Sequence, residues 1–273
     1  MAQDTDLTAN EQALKQAFIR ARGYWRPWTE GLLRLDPAFL ETYGKYAGYP
    51  AATGPLSPKM CELIYVALDG SATHLFRSGL ALHMRLALEK GATAEEIIDV
   101  LRLATAQGLD GCTGGIAILV EELSAAGRDT PCLKAQLSQE QCALRETYVA
   151  RFGDWPDFCE QWLRLDPGYF ALVLDLLAGT PGTGGLDERS RCLISLALNA
   201  CFTALHTDGL RLQIRRALRL DIDKAEIMQV LQMTAHLGVH ACAVGVPILL
   251  EVIGELPTKT REDNGKAAEQ ARG

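Results

Sequence analysis

The sequence predicts an all-α protein made of two tandem copies of one helical unit. Apolar residues recur at the three- and four-residue spacing of helices along most of the chain. Alternating apolar and polar runs that flank Asn-Gly turns, the usual signal of β-hairpins, are absent from the sequence. A shift of 130 residues aligns the two halves without a gap, and residues 33–37 and 163–167 both read Leu-Arg-Leu-Asp-Pro.

Helical periodicity and capping residues place the elements of the first copy. Asp36 and Ser57 each precede a proline, a pattern typical of a helix N-cap followed by the first helical residue. Ser78 and the pair Thr93 and Glu96 predict two further helix starts. The predicted helices are 7–22, a short one ending at 35, 37–46, 58–69, 78–90, 93–107 and 108–123. The predicted core contains Leu63, Ile64, Ala67, Leu101, Ile118 and their equivalents in the second copy.

Turns and composition predict the domain boundaries. Residues 1–126 form the first repeat with its N-terminal helices, and 127–136 form a linker. Residues 137–256 form a second, degenerate repeat that follows the same plan. The charged tail 257–273 contains almost no large apolar residue and is predicted to be disordered.

Composition excludes several classes of partner. The chain has 273 residues, and 48% of them are hydrophobic but only 7% aromatic, as expected for a helical core. Its net charge of −7 argues against a nucleic-acid partner, because phosphates require a basic face. No apolar run approaches the ~20 residues that span a bilayer, and the N-terminus lacks the features of a signal peptide. We therefore expect a cytoplasmic protein that binds no membrane.

The eight cysteines contain no CxxC pair and no zinc-like spacing. Thiols in the cytoplasm stay reduced and usually behave as small apolar residues. We therefore predict neither a disulfide framework nor a thiolate metal site.

Histidines and one glutamate are the residues best suited to acid-base chemistry. Glu62 interrupts an apolar helix face, His83 lies in the next helix, and His74 lies in the connector between them. Imidazole ionises near neutral pH, and a neighbouring carboxylate can orient it. These three residues form the predicted catalytic set, with a hydrogen-bonded structural role as the alternative for each. The residues predicted to contact a substrate are Arg77, His206, His236 and His240.

The second copy lacks this acid-base set. Cys192, Ala204 and Gln213 occupy the positions equivalent to the three predicted catalytic residues. The asymmetry predicts one composite site per chain or per subunit interface. In that site the first copy supplies the proton-transfer groups, and the second copy supplies a wall and hydrogen bonds.

The first copy resembles the carboxymuconolactone decarboxylase family, which includes the AhpD-type alkylhydroperoxidases. The resemblance rests on Glu62-Leu-Ile, a connector, Gly-Leu-x-Leu-His83, Gly91-Ala-Thr-x-x-Glu-Ile and Val100-Leu. It extends over residues 33–123 and 163–253. It implies an all-helical, AhpD-like fold that assembles as rings, often trimers or hexamers. Because two copies are fused here, the resemblance implies a homotrimer.

The peroxidase branch of this family needs a nucleophile that the chain lacks. That branch has a Cys-x-x-Cys pair whose second cysteine lies four residues before the histidine. Phe76 and Gly79 occupy these positions in the first copy, and His206 and Gly209 occupy them in the second. Dithiol peroxidase chemistry is therefore disfavoured. The segment between Glu62 and the family histidine is also longer than in either branch, so the connector is its own variant.

The leading functional hypothesis is a cofactor-independent lyase similar to carboxymuconolactone decarboxylase, acting on a small carboxylic acid or lactone. A histidine would protonate the enolate-like product of CO2 loss. An isomerase or hydratase, a metal site built from histidines and Glu62, and a non-catalytic ligand-binding scaffold are the alternatives. Pyridoxal, nicotinamide and nucleotide cofactors have no signature in the sequence.

Overall fold

The computed structural model describes residues 7–128, 130–178 and 185–255. These parts of the chain contain helices and no β-strand, so the predicted all-α class is confirmed. The predicted disordered tail, 257–273, lies outside the described residues. The helices are α1 (Ala9–Arg22), α2 (Pro27–Leu35), α3 (Pro37–Thr53), α4 (Pro58–Asp69), α5 (Arg77–Glu89), α6 (Ala94–Thr105), α7 (Leu109–Ala125), α8 (Pro131–Lys134), α9 (Gln139–Phe152), α10 (Asp157–Leu165), α11 (Pro167–Ala178), α12 (Glu188–Ala200), α13 (Thr207–Arg219), α14 (Lys224–Thr234) and α15 (His240–Glu255).

Local sequence explains most helix boundaries. The Ser57 side chain accepts a hydrogen bond from a backbone N–H at the start of α4, and Thr93 forms a capping box with Glu96 at the start of α6. Helix α3 continues to Thr53 instead of ending near residue 46. Its small residues let it pack closely along α1, and this tertiary contact outweighs the helix-breaking tendency of Pro50.

Helices α1–α3 and α15 belong to one compact unit, formed by the described parts of residues 1–53 and 236–273. Its core centres on Phe18, which is 1% exposed and contacts Trp25 and Trp28 edge-on. Helix α15 packs on α2, where a Cβ at Gly31 would lie 2.4 Å from a methyl carbon of Val246. The glycine therefore permits the close approach of these two helices.

The described parts of residues 54–235 form the second compact unit, which contains α4 to α14. Helix α4 packs against α5, α6 and α12, and α12 packs against α13 and α14. The buried positions predicted on α4 and α12 are confirmed, since each is at most 2% exposed: Leu63, Ile64, Ala67, Leu193, Ile194 and Ala197.

Helix bounds and contacts in this unit recur at positions 130 residues apart. Helices α4, α5 and α6 begin at residues 58, 77 and 94, and α12, α13 and α14 begin at residues 188, 207 and 224. The Thr73 hydroxyl lies 2.8 Å from that of Thr203, its equivalent in the second copy. A contact between two equivalent positions is typical of elements related by a local two-fold axis.

The prediction that Ile118 and its equivalent are buried is wrong. Ile118 on α7 is 60% exposed, and Ile248 on α15 is 51% exposed. Leu101 and Leu231 are only half-buried. Periodicity identifies an apolar helix face, but it does not determine whether the same chain covers that face.

Two long helical stretches are more apolar than the sequence runs indicated. Ala94–Ala125 and Lys224–Glu255 are each 32 residues long, and they contain 18-residue windows with mean hydropathies of 1.2 and 1.9, respectively. Their length and composition would allow either one to cross a membrane. Helices of soluble proteins that are covered by other subunits have the same properties, so hydropathy alone does not decide between the two environments.

Candidate active site

One face of α4 carries three residues with polar groups inside the core. Glu62, Tyr65 and Asp69 are spaced three and four residues apart, so they follow one side of the helix for two turns. They are 9%, 8% and 1% exposed. Buried carboxyl groups are costly unless they are paired or protonated, so this face requires partners on the neighbouring helix.

His83 on α5 is the direct partner of this face. Its Nδ1 lies 2.7 Å from Oε2 of Glu62, and its ring stacks on Tyr65 with centroids 4.6 Å apart. The residue is 7% exposed. A carboxylate at Nδ1 favours the tautomer with a proton on that nitrogen, which leaves Nε2 for proton exchange. The orientation of the imidazole is therefore set by two residues of α4.

Lys90 completes the charge balance around Glu62. Its Nζ lies 2.8 Å from Oε1, the carboxylate oxygen that does not contact His83. Burial raises the pKa of Glu62, but the hydrogen bond and charge of His83, and then those of Lys90, outweigh burial and lower the pKa below its ordinary value. Glu62 is thus a carboxylate at neutral pH, held between two cationic or proton-bearing groups.

Asp69 has the opposite electrostatic character. Burial raises its pKa to about 8, so the carboxyl group is mainly protonated at neutral pH. One carboxyl oxygen lies 4.0 Å from Nε2 of His83, and one lies within 4.8 Å of a ring nitrogen of His74. A Cβ at Gly79 would lie 2.1 Å from Oδ2 of Asp69, so only glycine lets α5 approach this group. The site therefore combines an ionised and a neutral carboxyl group around one imidazole.

Comparisons with known proteins agree with this architecture. The sequence profile of the carboxymuconolactone decarboxylase family matches residues 37–111. The crystal structure of a candidate gamma-carboxymuconolactone decarboxylase subunit from Burkholderia xenovorans LB400 is 31% identical to the chain, with a TM-score of 0.84. The match covers 89% of this chain and 97% of that chain. The chain belongs to the carboxymuconolactone decarboxylase family. No curated protein sequence matches it.

The structure brings together two of the three predicted catalytic residues of this family member. Glu62 and His83 are in direct contact, although 21 residues separate them in sequence. His74 lies half-buried in the connector, where its ring is tilted against that of Phe76 at 5.9 Å. Burial lowers the pKa of His74, which favours a neutral imidazole at physiological pH. Arg77 is exposed at the first residue of α5, at the same end of the helix as Gly79.

The remaining predicted substrate contacts are His206, His236 and His240. His206 occupies the N-cap position of α13 without a side-chain capping bond, and its Nδ1 lies 3.2 Å from Oδ1 of Asp110. It lines a cavity whose lining includes neither Glu62 nor His83. His236 and His240 belong to the unit that contains α1–α3. His236 is 4% exposed, and burial, helped by the charge of Arg22, lowers its pKa to about 3. Its imidazole is therefore neutral, as expected of a core histidine.

Sequence reasoning missed Tyr65, Asp69 and Lys90. Comparison of the two copies contained a signal for all three, because the equivalent positions carry Ser195, Asn199 and Leu220. Together with Cys192 and Gln213, every polar group of the first site is thus replaced by a neutral residue in the second copy.

Proposed function

We propose that this protein is a cofactor-independent lyase that decarboxylates a small carboxylic acid or lactone, with His83 as the proton-transfer residue. The buried pair of Glu62 and His83, next to the neutral carboxyl group of Asp69, carries the proposal. A carboxylate that fixes one imidazole nitrogen and leaves the other for exchange is a typical arrangement for general acid-base catalysis.

The proposed reaction needs one proton donor. The bond between the substrate carboxylate and the adjacent carbon breaks, CO2 leaves, and the electron pair remains as an enolate-like carbanion. In its doubly protonated, imidazolium form, His83 donates the Nε2 proton to that carbon and keeps the Nδ1 proton that Glu62 accepts. Asp69, 4.0 Å away, is placed to return its own proton to Nε2, and water then reprotonates Asp69. Arg77, exposed at the start of α5, would attract the anionic substrate.

A second candidate is an isomerase on a similar substrate. Two proton-exchanging groups lie side by side, so one could remove a proton from carbon and the other could return it. The products separate the two candidates, because decarboxylation releases CO2 whereas isomerisation leaves the mass of the substrate unchanged.

We also propose that the chain arose by tandem duplication and keeps one active site. The ion pair of Arg191 with Asp99 has its equivalent in a 3.4 Å contact between Cys61 and Gln229. Asp99 and Gln229 occupy equivalent positions of the two copies, and so do Cys61 and Arg191. The ion pair therefore runs from the second copy to the first at the same two positions that the other contact joins from the first copy to the second. Recurrence of this kind supports two copies related by a local two-fold axis, of which only the first retains acid-base residues.

The function is tested by turnover on a panel of small lactones and carboxylic acids, with CO2 release and product mass as the readouts. We expect CO2 release from at least one substrate without added cofactor, and the same rate after treatment with a chelator. Loss of activity that zinc restores would instead favour a metal site that includes His74 and Asp69, whose ligand atoms lie within 4.8 Å. No turnover of any substrate would favour a binding protein.

We propose that the chain assembles as a homotrimer, in which other subunits cover the apolar faces of α7 and α15. These faces expose large side chains that a stable monomer would rarely leave in water. They are Ile118, Leu119, Val244, Ile248, Leu249 and Val252, each 47–60% exposed in the single chain. Light scattering is expected to give three times the chain mass of 29.7 kDa.

A matched pair of variants tests which surface makes the trimer. The double variant Ile118→Ser and Ile248→Ser is expected to dissociate, whereas Val149→Ser, at an exposed apolar residue of α9, is expected to leave the mass unchanged. A stable monomer of the parent protein would contradict the proposal. Recovery only in the membrane fraction would assign the apolar helices to lipid instead.

A further inference from the structure

The second compact unit contains a cavity of about 170 Å³ that is distinct from the candidate active site. Its apolar wall is formed by side chains that include Phe152, Phe158, Trp162 and Phe170. A cavity of about this volume accommodates one benzene-sized ring. Size and lining therefore favour a ligand with a single aromatic ring.

Three buried polar atoms of the cavity lining have no hydrogen-bond partner within residues 7–128, 130–178 and 185–255. They are Oε1 of Gln213, Nε of Arg151 and Nε of Arg216. Arg216 is only 9% exposed, and both guanidinium groups lie over the ring of Phe152, at 5.6 and 5.4 Å from its centroid. Buried donors normally have acceptors, so unused N–H groups beside a cavity point to an anionic ligand.

Three arginines and three carboxyl groups lie around the cavity. Arg151, Arg191 and Arg216 line it, and the neighbouring carboxylates are Asp99, paired with Arg191, and Glu188, 3.3 Å from Arg216. Asp110 also lines the cavity and is paired with His206 at 3.2 Å. Arg191 and Arg216 are thus paired with carboxylates, whereas Arg151 forms no ion pair within the described residues. Burial raises the pKa of Asp110, which opposes its ionisation.

The other ionisable groups of the wall do not add negative charge. Burial raises the pKa of the Tyr148 phenol, and it raises the pKa of the Cys159 thiol to about 12. Both groups are therefore neutral at physiological pH and would not repel an anion.

The three arginines are specific to the second copy. Ala21, Cys61 and Leu86 occupy the equivalent positions of the first copy. The second copy thus lost the acid-base residues of the first and gained guanidinium groups around a ring-sized cavity.

We propose that this cavity is a second binding site, which takes a small aromatic monocarboxylate and performs no chemistry on it. The aromatic ring occupies the apolar part, and the carboxylate accepts hydrogen bonds from Arg216 and Arg151. Catalysis is not expected, because Cys192 and Gln213 replace the glutamate and histidine of the first site. The site does not depend on the proposed lyase activity.

Benzoate binding to the full-length His83→Gln protein tests the site, because this background disables the proposed active-site histidine. Calorimetry is expected to show saturable binding of benzoate and at least about tenfold weaker binding of benzamide, which has the same ring without the charge. Benzoate should also change tryptophan fluorescence through Trp162, and the variant Trp162→Phe should lose that change.

Two variants test whether Arg216 binds the carboxylate of benzoate. Arg216→Leu introduces the residue that the first copy has at this position, and it should weaken benzoate binding at least about tenfold. The control Arg215→Leu, at an exposed arginine of α13 outside the cavity lining, should bind like the parent. Arg216→Gln replaces the first variant if Arg216→Leu does not fold. Equal binding of benzamide and benzoate, unchanged binding by a folded Arg216 variant, or no saturable binding would each overturn the proposal.

Discussion

Replacement of His83 by glutamine is expected to lower turnover by about 10²–10⁴-fold, the usual contribution of general acid-base catalysis. Glutamine cannot exchange a proton at neutral pH, although it keeps a polar group next to Glu62. The fold should survive, because the second copy carries Gln213 at the equivalent position of α13. The variant therefore removes chemistry with little disturbance of packing.

The measurement is turnover of the substrate found in the panel, together with thermal unfolding of each variant. Arg85→Gln is the matched control, because Arg85 lies two residues further along α5 and is exposed. It should retain parental turnover. Glu62→Gln should lower turnover less than the histidine change if Glu62 only orients the imidazole. Parental turnover in a folded His83→Gln protein would exclude His83 from the mechanism.

Replacement of Asp69 by asparagine is expected to stabilise the protein near pH 8 and to reduce its activity. In the folded protein Asp69 keeps its proton up to about pH 8, whereas its ordinary value is 3.8. The unfolded chain therefore binds fewer protons than the folded chain between these pH values. The contribution of Asp69 to the free energy of unfolding is fully present below the lower value and falls as pH rises, by up to about 1.4 kcal/mol per pH unit.

Asparagine cannot ionise, so this variant should lose that pH dependence. The difference in free energy of unfolding between variant and parent should grow from pH 5 to pH 8. In this difference, the pH-dependent contributions of groups that titrate in both proteins largely cancel. His83 and His74 are exceptions, because they lie close enough to Asp69 for its charge to change their pKa values. The fold should accept asparagine, since Asn199 occupies the equivalent position and likewise lies close to a glycine, Gly209.

Denaturant unfolding at several pH values measures this effect, and the exposed Asp175→Asn is the control that should show none. A pH-independent difference between parent and variant would show that Asp69 is ionised in the folded state. Turnover of the variant should fall if Asp69 returns the proton to His83. Parental turnover would limit Asp69 to a structural role.

The sequence was sufficient for features that depend on neighbouring residues along the chain. Helix starts at Ser57 and Thr93 follow from side chains that bond to backbone groups three residues away, so a short segment contains all the necessary information. The buried faces of α4 and α12 follow from periodicity, because apolar residues at helical spacing form a continuous apolar face that is stable only when it is buried. The comparison of the two copies also identified the loss of acid-base residues in the second.

Only the tertiary structure determined how the polar side chains of the site are arranged and how their surroundings change their pKa values. Glu62 and His83 could be predicted as partners, but the roles of Asp69 and Lys90 depend on how α4 and α5 approach each other at Gly79. The pKa of Asp69 is raised by burial, which depends on the surrounding helices and cannot be predicted from the spacing of residues in the sequence. Exposure of Ile118 has the same origin, because periodicity defines an apolar face whereas the arrangement of other helices determines whether water reaches it.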